Sequence, residues 1–499
     1  IKMKVCKKVT SVFALVLILS LLIGVTGASA ATSSDGNHYT YIYDCWGYDR
    51  ESPDAYSVTR IITGSDYECG NFKEPQGMYV NGTDLYIADT GNNRIVKMSY
   101  LNDTITQTGL VTEFNNGDKK DTLSGPQDVF VSDEGDMYIA DTGNKRIVHL
   151  DKDNNVIKII TKPDDETFDQ TTDFLPQKLV VDSSKRIFTQ VQNVNKGFME
   201  FASDGSFTGY VGASKVTYNI LQYIWKMVAS KEQRSQMELF VPTEYSNLCL
   251  DSEGFIYATI GKTGENVAPQ NSQPIRKLNA KGTDILVRNG YEEPYGDLRW
   301  TESGEMKGAS KFVDIACLDN DVYYALDNTR GRVFAYDFQG NMLYAFGGHG
   351  YKAGYFINPM AIEDLGDTLL VMDSTLGTIT QFTFTEYGKY INQGLSEYKI
   401  GDYDASAATW QKVLKLNGNY DQAYIGIGRS LLRQESYQEA MDYFELKLDA
   451  TNYSKAYKLY RKEWFENNIM IILIALAVLI VVCFGVGFVK KARKEVEKG

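Results

Sequence analysis

Residues 74–100 read EPQGMYVNGTDLYIADTGNNRIVKMSY, and residues 125–151 read GPQDVFVSDEGDMYIADTGNKRIVHLD. Both contain YIADTGN followed by an Arg-Ile-Val run, and Tyr86 and Tyr138 set the offset at 52 residues. Dense identity at one fixed offset marks a repeat. Within each copy the β-branched and aromatic runs, such as MYV and LYIAD, read as strands. NGTD and DEGD between them are hairpin turns, because Gly and Asn accept positive φ cheaply. Asp-Thr-Gly-Asn is a second turn, in which the Asp bonds backbone amides and Gly91 or Gly143 is expected to be left-handed. RIVKMSY then supplies a third strand and GLVTEF (109–114) a fourth. Four antiparallel strands in a unit of this length predict a propeller blade.

The two copies resemble NHL-repeat propellers. The matching residues are Pro75-Gln76-Gly77, Asp89-Thr90-Gly91-Asn92 and Arg94-Ile95, then Pro126-Gln127, Asp141-Thr142-Gly143-Asn144 and Arg146-Ile147. Asp89, Asn92, Arg94, Asp141, Asn144 and Arg146 are expected to hold the repeat turns and tie neighbouring blades rather than touch a ligand. Four weaker copies follow: blade 3 at 175–212, blade 4 at 247–290, blade 5 at 311–348 and blade 6 at 357–384. Blade 6 has only three strands, and VTRII (58–62) is expected to supply its fourth, closing the ring and hiding the sheet edges. YTYIYD (39–44) is a further strand with no place in that scheme. The abundant tyrosines, 34 in all, are expected largely as outward aromatics on the strands.

The flanks suggest a route to a membrane. Residues 1–30 read as a secretory signal, with Lys2, Lys4, Lys7 and Lys8, an apolar stretch and Ala28-Ser29-Ala30 as a cleavage site. Residues 31–57 form an N-terminal segment and 58–387 the propeller. Residues 468–489 carry an uninterrupted apolar run, long enough at about 1.5 Å per residue to span a bilayer core of about 30 Å. A basic tail, 490–499, follows, which predicts a cell-membrane protein with its tail cytoplasmic and its N-terminal part outside. Nine of 51 basic and two of 64 acidic residues lie in the signal and tail, leaving −20 between them. That sign argues against a nucleic-acid partner. Cys45 and Cys69 are candidates for a disulfide in an oxidising compartment, whereas Cys249 and Cys317 read as small core residues.

Residues 388–467 change to a helical period. Tyr390, Gly394, Tyr403, Ser406 and Trp410 recur 34 residues later as Tyr424, Gly428, Tyr437, Ala440 and Phe444. This resembles two tetratricopeptide repeats, although the usual helix-ending Pro is missing at Gly418 and Asn452. Such arrays imply a protein partner or a stalk. The expected fold is thus an all-β six-bladed propeller of NHL type, then an all-α TPR-like array of helical hairpins, then a single transmembrane helix.

Candidate sites follow from strand alternation. Amide and charged residues at the starts of the innermost strands (Gln76, Gln127, Asp128, Gln177, Lys178, Asn247 and Asp314) are expected to meet at one mouth of the axis, where a divalent metal or small polar ligand would fit. The long insertions 213–242, 262–273 and 288–310 are expected on that same face, away from the membrane. Trp225 in a predicted helix, and Tyr291, Tyr295 and Trp300 among carboxylates, are candidate binding-loop residues for a protein or glycan. Some related propellers are lyases that use zinc and histidine, but here only His38, His149 and His349 exist and their positions imply no shared cluster. No further cofactor is implied. The sequence therefore points to a membrane-anchored extracytoplasmic binding or scaffold protein, with a transport or envelope complex as an expected partner. The alternative is a metal-dependent lactonase or lyase at the axis.

Overall fold

A computed structural model describes residues 40–212, 244–262, 273–299, 303–304, 306–318 and 320–497. Its contacts divide the chain into a unit ending at Asn392 and one beginning at Gln393. The first is a six-bladed propeller, with strands a to d counted outward from the axis in each blade. Blade 1 is Gly77–Asn81, Asp84–Asp89, Arg94–Leu101 and Thr104–Val111. Blade 2 is Pro126–Val131, Met137–Asp141, Arg146–Leu150 and Val156–Ile160. Blade 3 is Pro176–Val181, Ile187–Val191, Phe198–Phe201 and Phe207–Val211. Blade 4 has Glu244–Leu250, Ile256–Lys262 and Ile275–Leu278. Blade 5 is Phe312–Cys317, Tyr323–Asp327, Arg332–Tyr336 and Met342–Gly347. Blade 6 is Pro359–Leu365, Thr368–Asp373 and Thr378–Phe384, with Tyr56–Thr63 as its outermost strand.

Ring closure comes from the two ends of the propeller chain. Thr63 pairs with Thr378 and Tyr56 with Phe384, so the early strand seals blade 6. The six a strands touch their neighbours all the way round, blade 6 meeting blade 1. The orphan segment also finds a place: Tyr41–Tyr43 pairs through Tyr41 with Ala345 at the outer edge of blade 5, and Asp49–Glu51 lies outside it.

Three local expectations need correction. Strand d of blade 1 begins at Thr104, because Asn102 and Asp103 both adopt positive φ and turn the chain at once. Glu113 and Phe114 of GLVTEF instead open a separate strand, Glu113–Asn116, which forms a hairpin with Lys119–Thr122. Blade 4 lacks a regular strand d. The Asp284 carboxylate accepts the Lys277 N–H, and the pairing shrinks to one Leu278–Asp284 bridge, with Asn279 N donating to Thr283 O and Ile285 N to Lys277 O. Finally, Tyr41, Tyr56, Tyr323, Tyr324, Tyr336 and Tyr344 are fully buried rather than outward. All of their hydroxyls but that of Tyr323 find partners inside, as where Tyr56 meets Tyr324 at 3.0 Å and Tyr324 meets Tyr344 at 3.2 Å.

The second unit continues helix α1 (Glu386–Ile400) into α2 (Tyr403–Leu416), α3 (Asp421–Arg433), α4 (Tyr437–Leu446) and α5 (Ala450–Val496). The 34-residue spacing has a packing cause. A Cβ on Gly394 would lie 3.1 Å from the Trp410 ring, and one on Gly428 would lie 2.7 Å from Phe444. Each glycine thus lets the partner helix lay an aromatic ring against its backbone. Asp402 and Asp449 cap α2 and α5 by accepting Ala405 N and Asn452 N. Helix α5 runs unbroken for 47 residues and includes an apolar window with no buried residue, long enough to cross a membrane.

Candidate functional site

The repeat turns explain how the blades are tied. Asp89 is fully buried at the end of strand b. One of its oxygens accepts Lys73 N at 2.7 Å; the other accepts Asn92 Nδ2 at 2.8 Å and Arg94 Nε at 2.6 Å. Thr90 Oγ1 donates to Pro126 O at 2.7 Å, reaching blade 2. Blade 2 repeats the arrangement with Asp141, Ser124 N, Asn144 and Arg146, and Thr142 reaches Pro176 O of blade 3. Arg146 also pairs with Asp121 at 2.8 Å, holding that carboxyl below its usual range. The worn copies keep the Asp: Asp327 accepts Lys311 N and Ser310 Oγ, and Asp373 accepts Ile357 N and Asn358 N.

The glycines of this turn do something other than expected. Asn93 and Lys145, not Gly91 and Gly143, take the left-handed conformation. A Cβ on Gly91 would stand 2.7 Å from Lys73 O, and one on Gly143 would stand 2.5 Å from Ser124 O. Close approach to the incoming link, rather than φ, demands glycine here.

At the axis a cavity of about 230 Å³ is lined by a strands from all six blades. It brings together Asp128, Lys178, Asn247 and Asp314, four of the seven axial residues read from the sequence. These four occupy equivalent positions, each just past an irregularity in a–b pairing. Gln76 is turned away to Ser374 Oγ at 3.0 Å, so it links blade 1 to blade 6. Gln127 and Gln177 are half-buried and do not line the cavity. Blade 1 instead presents Gly77 at the equivalent position, where a Cβ would lie 2.5 Å from Asp128 Oδ1.

Most of this polarity is engaged between blades. Asp128 Oδ2 accepts Leu179 N of blade 3 at 2.9 Å, and Asp314 Oδ2 accepts Ile362 N of blade 6 at 2.7 Å. Asn247 Nδ2 donates to Asp314 Oδ1 across the blade 4–5 seam. Lys178 Nζ stands 3.8 Å from Asp128 Oδ1 and donates to Gln76 O of blade 1 at 2.8 Å. Blades 3 and 1 are not neighbours, so this side chain bars part of the axis.

Glu363, Asp364, Cys249 and Cys317 also line the cavity. They lie beyond the strand starts, where the repeat's polar pattern does not reach. The signal was available in AIEDL, where two adjacent acids interrupt an innermost strand. Burial pushes the Asp314 carboxyl up to about 7, against the pull of Lys178 and of the Ile362 and Ile315 amides, with Asp128 adding to the rise. Burial also raises Asp128 against Lys178, and raises Glu363 with help from Asp314, Cys249 and Asp128. The cavity is smaller than the roughly 300–1,000 Å³ of pockets for drug-sized ligands. Its size admits a water chain or a compact polar solute, and Asp314 can exchange a proton near neutrality.

A metal fits the axial residues poorly. Among the described residues, the group of at least three His, Cys, Asp or Glu whose ligand atoms all lie within 4.8 Å is Asp251, Glu253 and Asp321. It stands on the a–b turns of blades 4 and 5, and Asp251 is already paired with Lys277 at 2.8 Å. Asp128, Asp314 and Glu363 do not form such a group.

The candidate loop residues scatter. Tyr295 is 8 % exposed, too little for a ring to stack on a ligand, and Tyr291 is half-buried. Their loop is held from within by Asp297, which accepts Tyr41 Oη and pairs with Arg330 and Arg332 at 3.0 and 2.6 Å. Trp225, its predicted helix, Trp300, His38 and the signal lie outside the described residues. Cys45 and Cys69 are not joined: Cys45 follows the strand added to blade 5, whereas Cys69 precedes blade 1 and contacts Gly64 O.

Comparison with known proteins adds one family. Residues 391–454 match the tetratricopeptide repeat model. The match covers helices α2, α3 and α4 and most of α1. No curated protein matches the chain. Among solved structures, selenomethionine-substituted virginiamycin B lyase from Staphylococcus aureus is 13 % identical with a TM-score of 0.39, over 66 % of this chain and 100 % of that one. A streptogramin B lyase is 12 % identical with a TM-score of 0.36, over 70 % and 98 %. Kuenenia stuttgartiensis hydrazine synthase is 11 % identical with a TM-score of 0.37, over 62 % and 84 %.

Proposed function

We propose that this protein is a membrane-anchored extracytoplasmic scaffold. Its tetratricopeptide repeats dock a protein partner, and its propeller presents a binding surface outside the membrane. The observation that carries this reading is the repeat match at 391–454, which runs into a helix whose apolar window has no buried residue. Arrays of this kind use stacked helix pairs to hold peptide or protein segments. The basic residues after 489 favour a cytoplasmic tail and an outside propeller. A transport or envelope complex is the kind of partner such an arrangement serves. The test is a photoreactive residue at exposed Glu439 of the full chain in intact cells, with protease added outside. The reading expects one discrete crosslinked protein and loss of the propeller to external protease. Protection of the propeller, or no adduct, refutes it.

The second reading is a lactonase or lyase at the axis, and Asp314 favours it, since its carboxyl is poised near neutral pH. Lactone hydrolysis with and without added divalent ions tests this. Activity lost in both Asp128→Asn and Asp314→Asn would make it the better account.

A further inference from the structure

We propose that Cys249 and Cys317 form a redox-active pair, which oxidation joins into a disulfide across the seam between blades 4 and 5. This goes beyond the scaffold reading and does not rest on it. The two Sγ atoms stand 3.0 Å apart, about 1 Å beyond the S–S bond length of about 2.05 Å. Cys249 lies in strand a of blade 4, and Cys317 ends strand a of blade 5.

Their approach is fixed by neighbours that have other partners. Ser246 Oγ donates to Phe312 O at 2.7 Å, and Asn247 Nδ2 donates to Asp314 Oδ1, so the two strands cannot slide apart without breaking both bonds. Both thiols are half-buried and both line the axial cavity, which gives a small oxidant a path to them. A tetrahedral metal thiolate is the competing use of such a pair. It lacks ligands here: no group of three close ligand atoms among the described residues includes either cysteine.

The chemistry balances with a small organic disulfide as oxidant. The Cys249 thiolate attacks one sulfur of that disulfide and releases one small thiol. Cys317 then attacks Cys249 Sγ in the mixed disulfide and releases the second. The protein loses two protons and two electrons, and the small disulfide becomes two thiols. The Cys249 thiol is held well above its ordinary pKa by its hydrogen bond with Cys317, then by burial, then by the charges of Cys317, Asp314 and Asp251. Thiolate is therefore scarce, and joining is slower than at an exposed dithiol. Once made, the bond ties the blade that lacks a regular outer strand to its neighbour and removes two thiols from the cavity wall.

The experiment treats the full chain in detergent with bis(2-hydroxyethyl) disulfide, which is small enough for the cavity, alkylates the remaining thiols after denaturation, and maps unreduced peptides by mass spectrometry. The expected product is a peptide pair joined through Cys249 and Cys317, with a mass lower by two hydrogens and restored by reductant. Cys317→Ser should instead leave Cys249 carrying a 2-hydroxyethylthio group in a mixed disulfide. The inference is overturned if both wild-type thiols stay alkylatable, if either pairs with Cys45 or Cys69, or if the purified chain releases a stoichiometric soft metal ion on thiol titration.

Discussion

Asp89→Ala removes an acceptor for three donors at once: Lys73 N, Asn92 Nδ2 and Arg94 Nε. The side chain is fully buried and Arg94 is only 12 % exposed, so neither water nor salt readily replaces what is lost. Removing one member of such a buried pair costs about 3–5 kcal/mol, because the other charge stays behind. Arg94 keeps only carbonyl partners, Cys69 O at 2.7 Å and two more distant oxygens. Asp141→Ala should cost less, roughly 1–3 kcal/mol, since Arg146 retains the Asp121 carboxylate. Hydrogen exchange read by mass spectrometry on the full chain measures this locally. At about 1.4 kcal/mol per decade, amide protection around 71–77 and 89–95 should fall by roughly two to three and a half orders of magnitude in Asp89→Ala. The matching peptides in Asp141→Ala should lose roughly ten- to a hundredfold. A double variant, Asp89→Ala with Arg94→Met, should recover about 1–3 kcal/mol relative to the sum of its parts. The reasoning fails if Asp141→Ala is the costlier change, or if the Asp89–Arg94 cycle is additive.

Other outcomes follow from the same contacts. Gly77→Ala places a methyl 2.5 Å from Asp128 Oδ1 and Gln127 O and should destabilise the propeller by about 1–3 kcal/mol in thermal unfolding; a neutral result contradicts the packing at the axis. Trp410→Ala empties the pocket formed against Gly394 and Gly426 and should cost about 3–5 kcal/mol, read as faster proteolysis within α1–α4 while propeller peptides stay protected. Asp314 keeps its proton up to about 7 in the folded chain, whereas an unfolded Asp releases it near 3.9. The folded state therefore binds the extra proton between those values, and its contribution to stability falls as pH rises through that window. Asp314→Asn should flatten that slope in urea titrations at pH 4 to 8, and an unchanged slope would place the carboxyl's titration elsewhere.

The sequence by itself determined the repeat, its period and the classes of its parts. Local chemistry recurs with the repeat, so Asp89 and Asp141, or Gly394 and Gly428, declare themselves by spacing alone. It also made VTRII a candidate for closing the ring, since a three-stranded last blade needs a partner. Only the tertiary structure decided what depends on neighbours distant in the chain. Gly91 is needed because the Lys73 carbonyl passes over it, not for its own φ. Tyr41–Tyr43 joins blade 5 because Asp297 waits there between two arginines. The axial set was half legible: Asp128, Lys178, Asn247 and Asp314 begin their strands alike. Which of them bonds across a seam, and that Cys249 meets Cys317, is set by how six sheets pack around one axis. That packing brings together residues 68 positions apart, beyond the reach of any local pattern.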